Sequence, residues 1–309
     1  NLYAQNHDMS DRSWANNSIH KQWAWGNGAA MPSKEFVTNF YDRTLDAINR
    51  YNPDLIYFDV TVVPFHDISD CGLKIASHFY NKNPRAVMFG KILDAQQRKA
   101  LTWDVERGAP NEIINEPWQT CNCIGGWHYN TSIYERGAYK SAADVIKQLV
   151  DIVSKNGNLL LSIPLRADGT YDDKEAKVLD GIEEWMNINK ESIIGTRPWV
   201  IFGEGPIAQK NIKMNAQGFN DKQYTGMTSA DIRFNQTKKY LYATPLGWPT
   251  DGRIVIKSLA KGNGLLRKSI TKVELLGYGS LKAKQTTEGL EISLPSPTNA
   301  IAPVLKIKK

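Results

Sequence analysis

Cysteine is scarce: Cys71, Cys121 and Cys123 are the only three in 309 residues. Three thiols cannot build the disulfide framework of a small secreted scaffold. Cys121 and Cys123 on one strand would point to the same face, but no second pair completes a zinc tetrahedron, so all three read as buried free thiols. No run reaches the ~18 apolar residues that a membrane span needs. Internal repeats, low-complexity tracts and metal-ligand clusters are also missing, and no cofactor is expected. Basic and aromatic residues are not interleaved into the stacking platform that single-stranded nucleic acid requires. The charge excess is small, +6 from 38 Lys and Arg against 32 Asp and Glu. It is scattered, apart from "KSLAKGNGLLRKSITK" and the basic "VLKIKK"; such a surface suits solvent and would also suit an acidic polymer.

What is present is the composition of a globular protein, 41% hydrophobic and 23% charged, with length enough for two domains. The chain begins at Asn1 without a visible signal peptide, the expectation for a processed or truncated polypeptide. Asn16, Asn130 and Asn235 each open an Asn-x-Ser/Thr triplet, a weak signal for glycosylation.

The pattern alternates. "SKEFVTNFYDRTLDAINRYNPD" places Phe36, Phe40, Tyr41, Leu45 and Ile48 at helical spacing behind a Ser33 cap and stops at Asn52-Pro53. The strand "LIYFDVTV" follows, then helical "CGLKIASHFYNKN" and strands "RAVMFGK", "KALTWDVERG" and "WQTCNCIGGW". Helical "SAADVIKQLVDIVSKNG" comes next, with Gly157 as its stop signal, then the apolar strand "NLLLSIP" and the helix "KEAKVLDGIEEWMNINKESI". This grammar predicts a parallel α/β fold. Five strands before residue 165 make it the C-terminal portion of a (β/α)8-like barrel, over residues 1–197, with the first strands missing. From 198 to 309 the runs are short and alternating ("DIRFNQ", "KKYLYATPL", "RIVIKSL", "LEISL"), which predicts an all-β sandwich.

Strand parity then directs two carboxylates. In "LIYFDVT" the apolar Ile56, Phe58 and Val60 face helices, so Tyr57 and Asp59 face the barrel axis, with Asp59 at the C-terminal mouth. In "LTWDVERG" the same parity turns Thr102, Asp104 and Glu106 inward. Two carboxylates about 5 Å apart across a sugar are the equipment of retaining glycoside hydrolysis, and Tyr57 and Trp127 offer flat surfaces to sugar faces. The bland alternative is a barrel salt network in which Asp104 or Glu106 pairs with Lys99 or Arg107.

The segments "YNPDLIYFD", "PWQTCNCIGGWHYN", "DIVSKNGNLLLSIPLRADGTYDD" and "EEWMNINKESIIGTRPW", in this order, resemble glycoside hydrolase family 29, the α-L-fucosidases, over about residues 35–200. The resemblance implies an exo-acting, retaining hydrolase that forms a fucosyl-enzyme on Asp59, with a fucosylated oligosaccharide or glycoconjugate as substrate. Tyr57 stands where relatives commonly carry Trp in the sugar site. Gln119 stands where several relatives carry the acid/base Glu, and an amide cannot donate and recover a proton. Glu106 is then the leading acid/base, Glu112 and Glu116 follow, and a chain disabled by Gln119 that binds fucose without cleaving it is the remaining alternative. A related galactose-configured sugar is a further substrate option. His66, in the loop after Asp59, and His128, beside Trp127, are candidate substrate contacts; His78 reads as packing. The family's sugar-gripping histidines lie in early barrel strands that this sequence does not contain. A secreted, periplasmic or lysosomal location is expected, with no nucleic acid, no membrane span and the oligomeric state open.

Overall fold

The computed structural model describes residues 33–59, 69–91, 93–210, 224, 226–266, 269–297 and 301–309. The chain divides into two compact units, Asn1–Asp104 and Val105–Lys309.

In the first unit, helix α1 (Lys34–Tyr51) starts where the Ser33 hydroxyl accepts the Phe36 N–H at 3.0 Å. It stops at Asn52, whose φ of 44° is left-handed and whose N–H closes on Ile48 O; Pro53 bars any continuation. Strand β1 (Leu55–Phe58), helix α2 (Cys71–Lys82), strand β2 (Val87–Gly90) and strand β3 (Thr102–Glu106) follow. β1 pairs parallel with β2, Tyr57 opposite Phe89, and β2 pairs parallel with β3, Phe89 opposite Thr102. One sheet face buries Phe58, Met88 and Leu101 against Ile48, Ile75 and Phe79, with Ile56 and Trp103 packed at its margin. Each such side chain removed from water contributes roughly 2 kcal/mol. Parity leaves Tyr57 and Phe89 together on the opposite face, their rings edge-on at 6.3 Å.

The second unit takes over at the last two residues of β3. It continues with β4 (Trp118–Cys123), α3 (Thr131–Arg136), α4 (Ala142–Ser154), β5 (Gly157–Ser162) and α5 (Asp173–Asn189). β4 and β5 pair in parallel, Trp118 opposite Gly157 through Cys123 opposite Ser162. α4 and α5 each open with a reciprocal capping box, Ser141 with Asp144 and Asp172 with Glu175. Gly157 corrects the sequence expectation. The left-handed residue after α4 is Asn156, at φ 72°, and Gly157 is already the first residue of β5. It is glycine because a Cβ there would lie 2.4 Å from the Trp118 indole, and that ring is held by its N–H to Lys155 O at 2.9 Å.

Nine strands follow among the described residues of this unit: β6 (Arg197–Glu204), β7 (Ile232–Gln236), β8 (Tyr240–Pro245), β9 (Arg253–Ile256), β10 (Val273–Leu275), β11 (Gly279–Leu281), β12 (Ala283–Gln285), β13 (Leu290–Ser293) and β14 (Leu305–Lys308). They form a six-stranded antiparallel sheet, β11-β10-β14-β8-β7-β6, and a three-stranded one, β12-β13-β9. Phe234, Leu241, Val273 and Ile307 of the larger sheet interlock with Ile254, Ile256, Leu290 and Ile292 of the smaller, the arrangement of a sandwich. The fold is thus a (β/α)-barrel type of parallel sheet with its helices, followed by an all-β sandwich.

The last barrel helices are packed onto the sandwich. Ile146 and Val150 of α4 and Trp185 of α5 share one core with Tyr242, Leu246 and Val304, and the Trp185 indole donates to Ala302 O at 2.9 Å. Asp151 of α4, 1% exposed, accepts from Arg233 Nε at 2.5 Å and Lys155 Nζ at 2.7 Å. The Phe202 ring lies 4.8 Å from Lys155 Nζ and 5.5 Å from the Arg233 guanidinium.

Candidate active site

Asp59 lies one residue past the C-terminal end of β1. Its side chain is 66% exposed, and its Oδ1 meets Lys91 Nζ at 2.8 Å, while the lysine itself is 6% exposed. Lys91 immediately follows β2, on the same parity as Phe89. Its stem is buried along the strand and only its charge reaches the rim, so the ammonium is a fixed partner that orients the carboxylate. This lysine escaped the sequence reading. Its signal was the same alternation that selected Asp59, applied to "VMFGK".

Tyr57 donates its hydroxyl to Asp104 Oδ2 at 2.8 Å, and Asp104 is fully buried. Asp104 therefore serves as an anchor for the tyrosine, another function that the sequence left open. Within the first unit the structure thus joins Tyr57 to Asp104 and Asp59 to Lys91. His66 lies outside the described residues.

Glu106 closes β3 and is half-buried; it belongs to the second unit, as do Gln119, Trp127 and His128. The backbone just beyond it is pinned. Arg107, at φ 52°, donates its N–H to Cys121 O at 3.0 Å, and Gly108 N–H reaches the Thr120 hydroxyl at 3.2 Å. Glu112 and Glu116 are both exposed, in the loop before β4.

Gln119 is 6% exposed within β4, in register with Asn158. Beyond β4, Trp127 is 38% exposed and His128 is exposed. That corner is held by Lys140, whose ammonium donates to Cys123 O at 2.6 Å and Asn122 Oδ1 at 3.1 Å. Gly125 is required there, since a Cβ would meet the Tyr139 ring at 2.9 Å, and that tyrosine donates to Asp172 Oδ2 at 2.7 Å. From the loop after β5, the Arg166 guanidinium comes within 5.8 Å of the Tyr129 ring centre. Trp127, His128, Tyr129 and Arg166 therefore gather beyond the C-terminal ends of β4 and β5, where barrels of this kind carry chemistry.

His78 bonds Asn49 Oδ1 at 2.9 Å on the helix surface, a local structural contact. All three cysteines are free and buried. Among the described residues no group of His, Cys, Asp and Glu is placed to hold a metal ion, and no helix is long and apolar enough to cross a membrane. Of the three Asn-x-Ser/Thr triplets, Asn16 lies outside the described residues. Asn130 caps α3 through its side chain. Asn235 is 2% exposed and donates to Ser192 O at 3.0 Å, which closes it to glycosylation in the folded chain.

Residues 2–191 match a family model described as alpha-L-fucosidase, and residues 225–308 match that of the alpha-L-fucosidase C-terminal domain. The tissue alpha-L-fucosidase of Rattus norvegicus is 25% identical over 285 residues, covering 89% of this chain and 55% of that protein. The plasma alpha-L-fucosidase of Homo sapiens is 27% identical over 201 residues, covering 62% of this chain and 37% of that protein. Among solved structures, the Thermotoga maritima alpha-fucosidase in complex with fucose has a TM-score of 0.67 at 23% identity, covering 89% of this chain and 57% of that one; this likeness shows the fold. The chain spans just over half the length of the rat protein and a smaller share of the human plasma one.

Proposed function

Because the chain belongs to the alpha-L-fucosidase family, glycoside hydrolase family 29, we propose that it serves a retaining exo-glycosidase that releases fucose from fucosylated oligosaccharides or glycoconjugates. Asp59 attacks the anomeric carbon of the sugar while the glycosidic oxygen departs with a proton from Glu106. The product is a fucosyl ester on Asp59 and a free aglycone alcohol. Water then attacks the same carbon, losing its proton to Glu106, and the ester bond breaks to return the Asp59 carboxylate. Two inversions leave the configuration retained. Lys91 orients the nucleophile, Tyr57 is set by Asp104 to line the sugar, and His66, Gln119, Trp127 and His128 are its further contacts.

The observation that carries this reading is Asp59 itself. It is an open carboxylate just past a parallel strand, held by a buried lysine, inside the stretch that matches the family. Asp59→Ala, assayed with an aryl α-L-fucoside, is expected to lose turnover with the fold intact; full activity in that variant rejects the assignment.

Gln119 supports a second reading, a homologue that binds fucose without cleaving it, because a buried amide cannot act as an acid. Calorimetry would then show binding of a fucosylated glycan with no fucose released over long incubation, and detectable release excludes it. We further take residues 1–197 as the barrel portion and 198–309 as the sandwich domain, and place the enzyme outside the cytosol, in a secreted, periplasmic or lysosomal setting.

A further inference from the structure

On the second unit a broad hollow of about 980 Å³ lies between the β7–β8 turn and the segment that enters β6, lined by Arg197, Lys238, Lys239, Tyr240 and Lys309 among others. A second hollow of about 680 Å³, bordered by Asn115, Asn158 and the first residues of β5, shares Ile194, Gly195 and Arg197 with it. The two run together as one trough. It passes the N-terminal ends of β4 and β5, whereas Trp127 and His128 follow the C-terminal end of β4, roughly 20 Å away for a six-residue strand.

The charge in this trough is one-sided. Glu191 is the one side-chain carboxylate among its described lining residues, and it is already taken by Lys306, whose ammonium meets both oxygens at 2.8 and 3.0 Å. Arg197, Lys238 and Lys239 are exposed and have no ion-pair partner among the described residues. Lys309 donates to the neutral Gln236 Oε1 at 2.8 Å, and burial pulls its ammonium below the ordinary lysine range. The turn that carries two of the lysines is rigid: Thr237 N–H donates to Tyr240 O at 2.9 Å and Tyr240 N–H to the Thr237 hydroxyl at 3.1 Å. Four cations lining one hollow make a positive patch, and a ligand bearing repeated negative charge complements it. Apolar and aromatic surface lies among them, with Ile194 at 67% exposure and the Tyr240 ring.

We propose that this trough, at the opposite strand ends from Trp127 and His128, is a binding site for an acidic polysaccharide carrying sulfate esters or carboxylates. The choice of a glycan rests on the glycosidase reading; the charge argument does not. Single-stranded nucleic acid fits poorly, since Tyr240 and Tyr242, the aromatic residues of the described lining, are tilted against each other at 6.5 Å rather than set in a row for bases to stack on; duplex DNA is the competing polyanion.

The test is binding of dextran sulfate and of polygalacturonate to the chain at low salt, with neutral dextran and duplex DNA as comparisons. Binding of either acidic polymer, weakened at least tenfold in an Arg197→Gln, Lys238→Gln, Lys239→Gln variant, upholds the site, and the polymer that binds identifies the anion. An equal loss of charge elsewhere, Lys261→Gln, Lys282→Gln, Lys284→Gln, is expected to leave affinity within about twofold. Aryl fucoside turnover should be unchanged in both variants, so a silent catalytic site would not mask the result. Protection of Lys238 and Lys239 from acetylation by bound polymer gives the same answer in the unaltered chain. Absence of binding, equal binding by both variants, or equally tight capture of duplex DNA overturns the proposal.

Discussion

Two aspartate–lysine pairs in this protein have nearly the same length and opposite surroundings. Asp151 and Lys155 meet at 2.7 Å with side chains 1% and 7% exposed, and Arg233 closes the group. Asp59 and Lys91 meet at 2.8 Å, but the aspartate side chain is 66% exposed. In the first group the carboxylate is sealed between two cations inside the joint between α4 and β7, so the group can hold elements together and do little else. In the second pair only the cation is sheltered, and the carboxylate faces solvent with an oxygen to offer. Contact distance does not separate a structural carboxylate from a chemical one; the burial of the acid does.

The comparison breaks first at Asp59. Asp59→Ala should reduce aryl fucoside turnover by roughly 10³-fold or more, about 4 kcal/mol of barrier, while stability falls by less than at Asp151, because only the Lys91 ammonium of this pair is buried and loses this carboxylate. A loss of stability as large as that of Asp151→Asn would make it a structural pair after all. Glu106→Ala should cost roughly 10²–10⁴-fold with poor leaving groups and recover partly with azide; unchanged turnover moves the role to Glu112 or Glu116.

The reverse outcome is expected at the buried pair. Asp151→Asn leaves two cations facing an amide, and removing one member of a buried ion group costs about 3–5 kcal/mol, readable in denaturant unfolding. Burial alone would push the Asp151 carboxyl up, but Lys155 and Arg233 outweigh it and hold it below the usual carboxylate range. Its stabilisation is therefore present above the unfolded value of about 4 and lost as pH falls through the lower folded value. Unfolding midpoints measured from neutral pH downward should fall more steeply in the unaltered chain than in Asp151→Asn, and parallel curves would show that the group does not carry the acid sensitivity. The smallest effect is at Gly157→Ala, where the Cβ presses on an indole that cannot retreat without losing its bond to Lys155 O. A loss of about 1–3 kcal/mol is expected, and no loss would show that Trp118 has room to shift.

Much of this was legible without coordinates. The cap at Ser33, the stop at Asn52-Pro53 and the apolar alternation of "LIYF" and "IRFNQ" are local chemistry, and each appears where the pattern placed it. Gly157 shows the limit. A glycine after a helix reads as a cap, and only the approach of Trp118, thirty-nine positions earlier in the chain, shows why a side chain is forbidden there. Lys91 was missed, and the partner of Asp104 left open, for the same reason. Each gains its role from a partner on another strand, Asp59 for one and Tyr57 for the other.

By itself the sequence determined the order of helices and strands, the switch from 3.6-residue to two-residue periodicity near residue 198, and the face on which Asp59 would emerge. Those depend on backbone geometry and on neighbours a few positions away. The tertiary structure alone decided which carboxylate would be desolvated and which left open, because desolvation is a property of everything packed around a group. Asp151 and Asp59 look alike in the chain; Arg233, eighty-two residues beyond one of them, and water beside the other make them different.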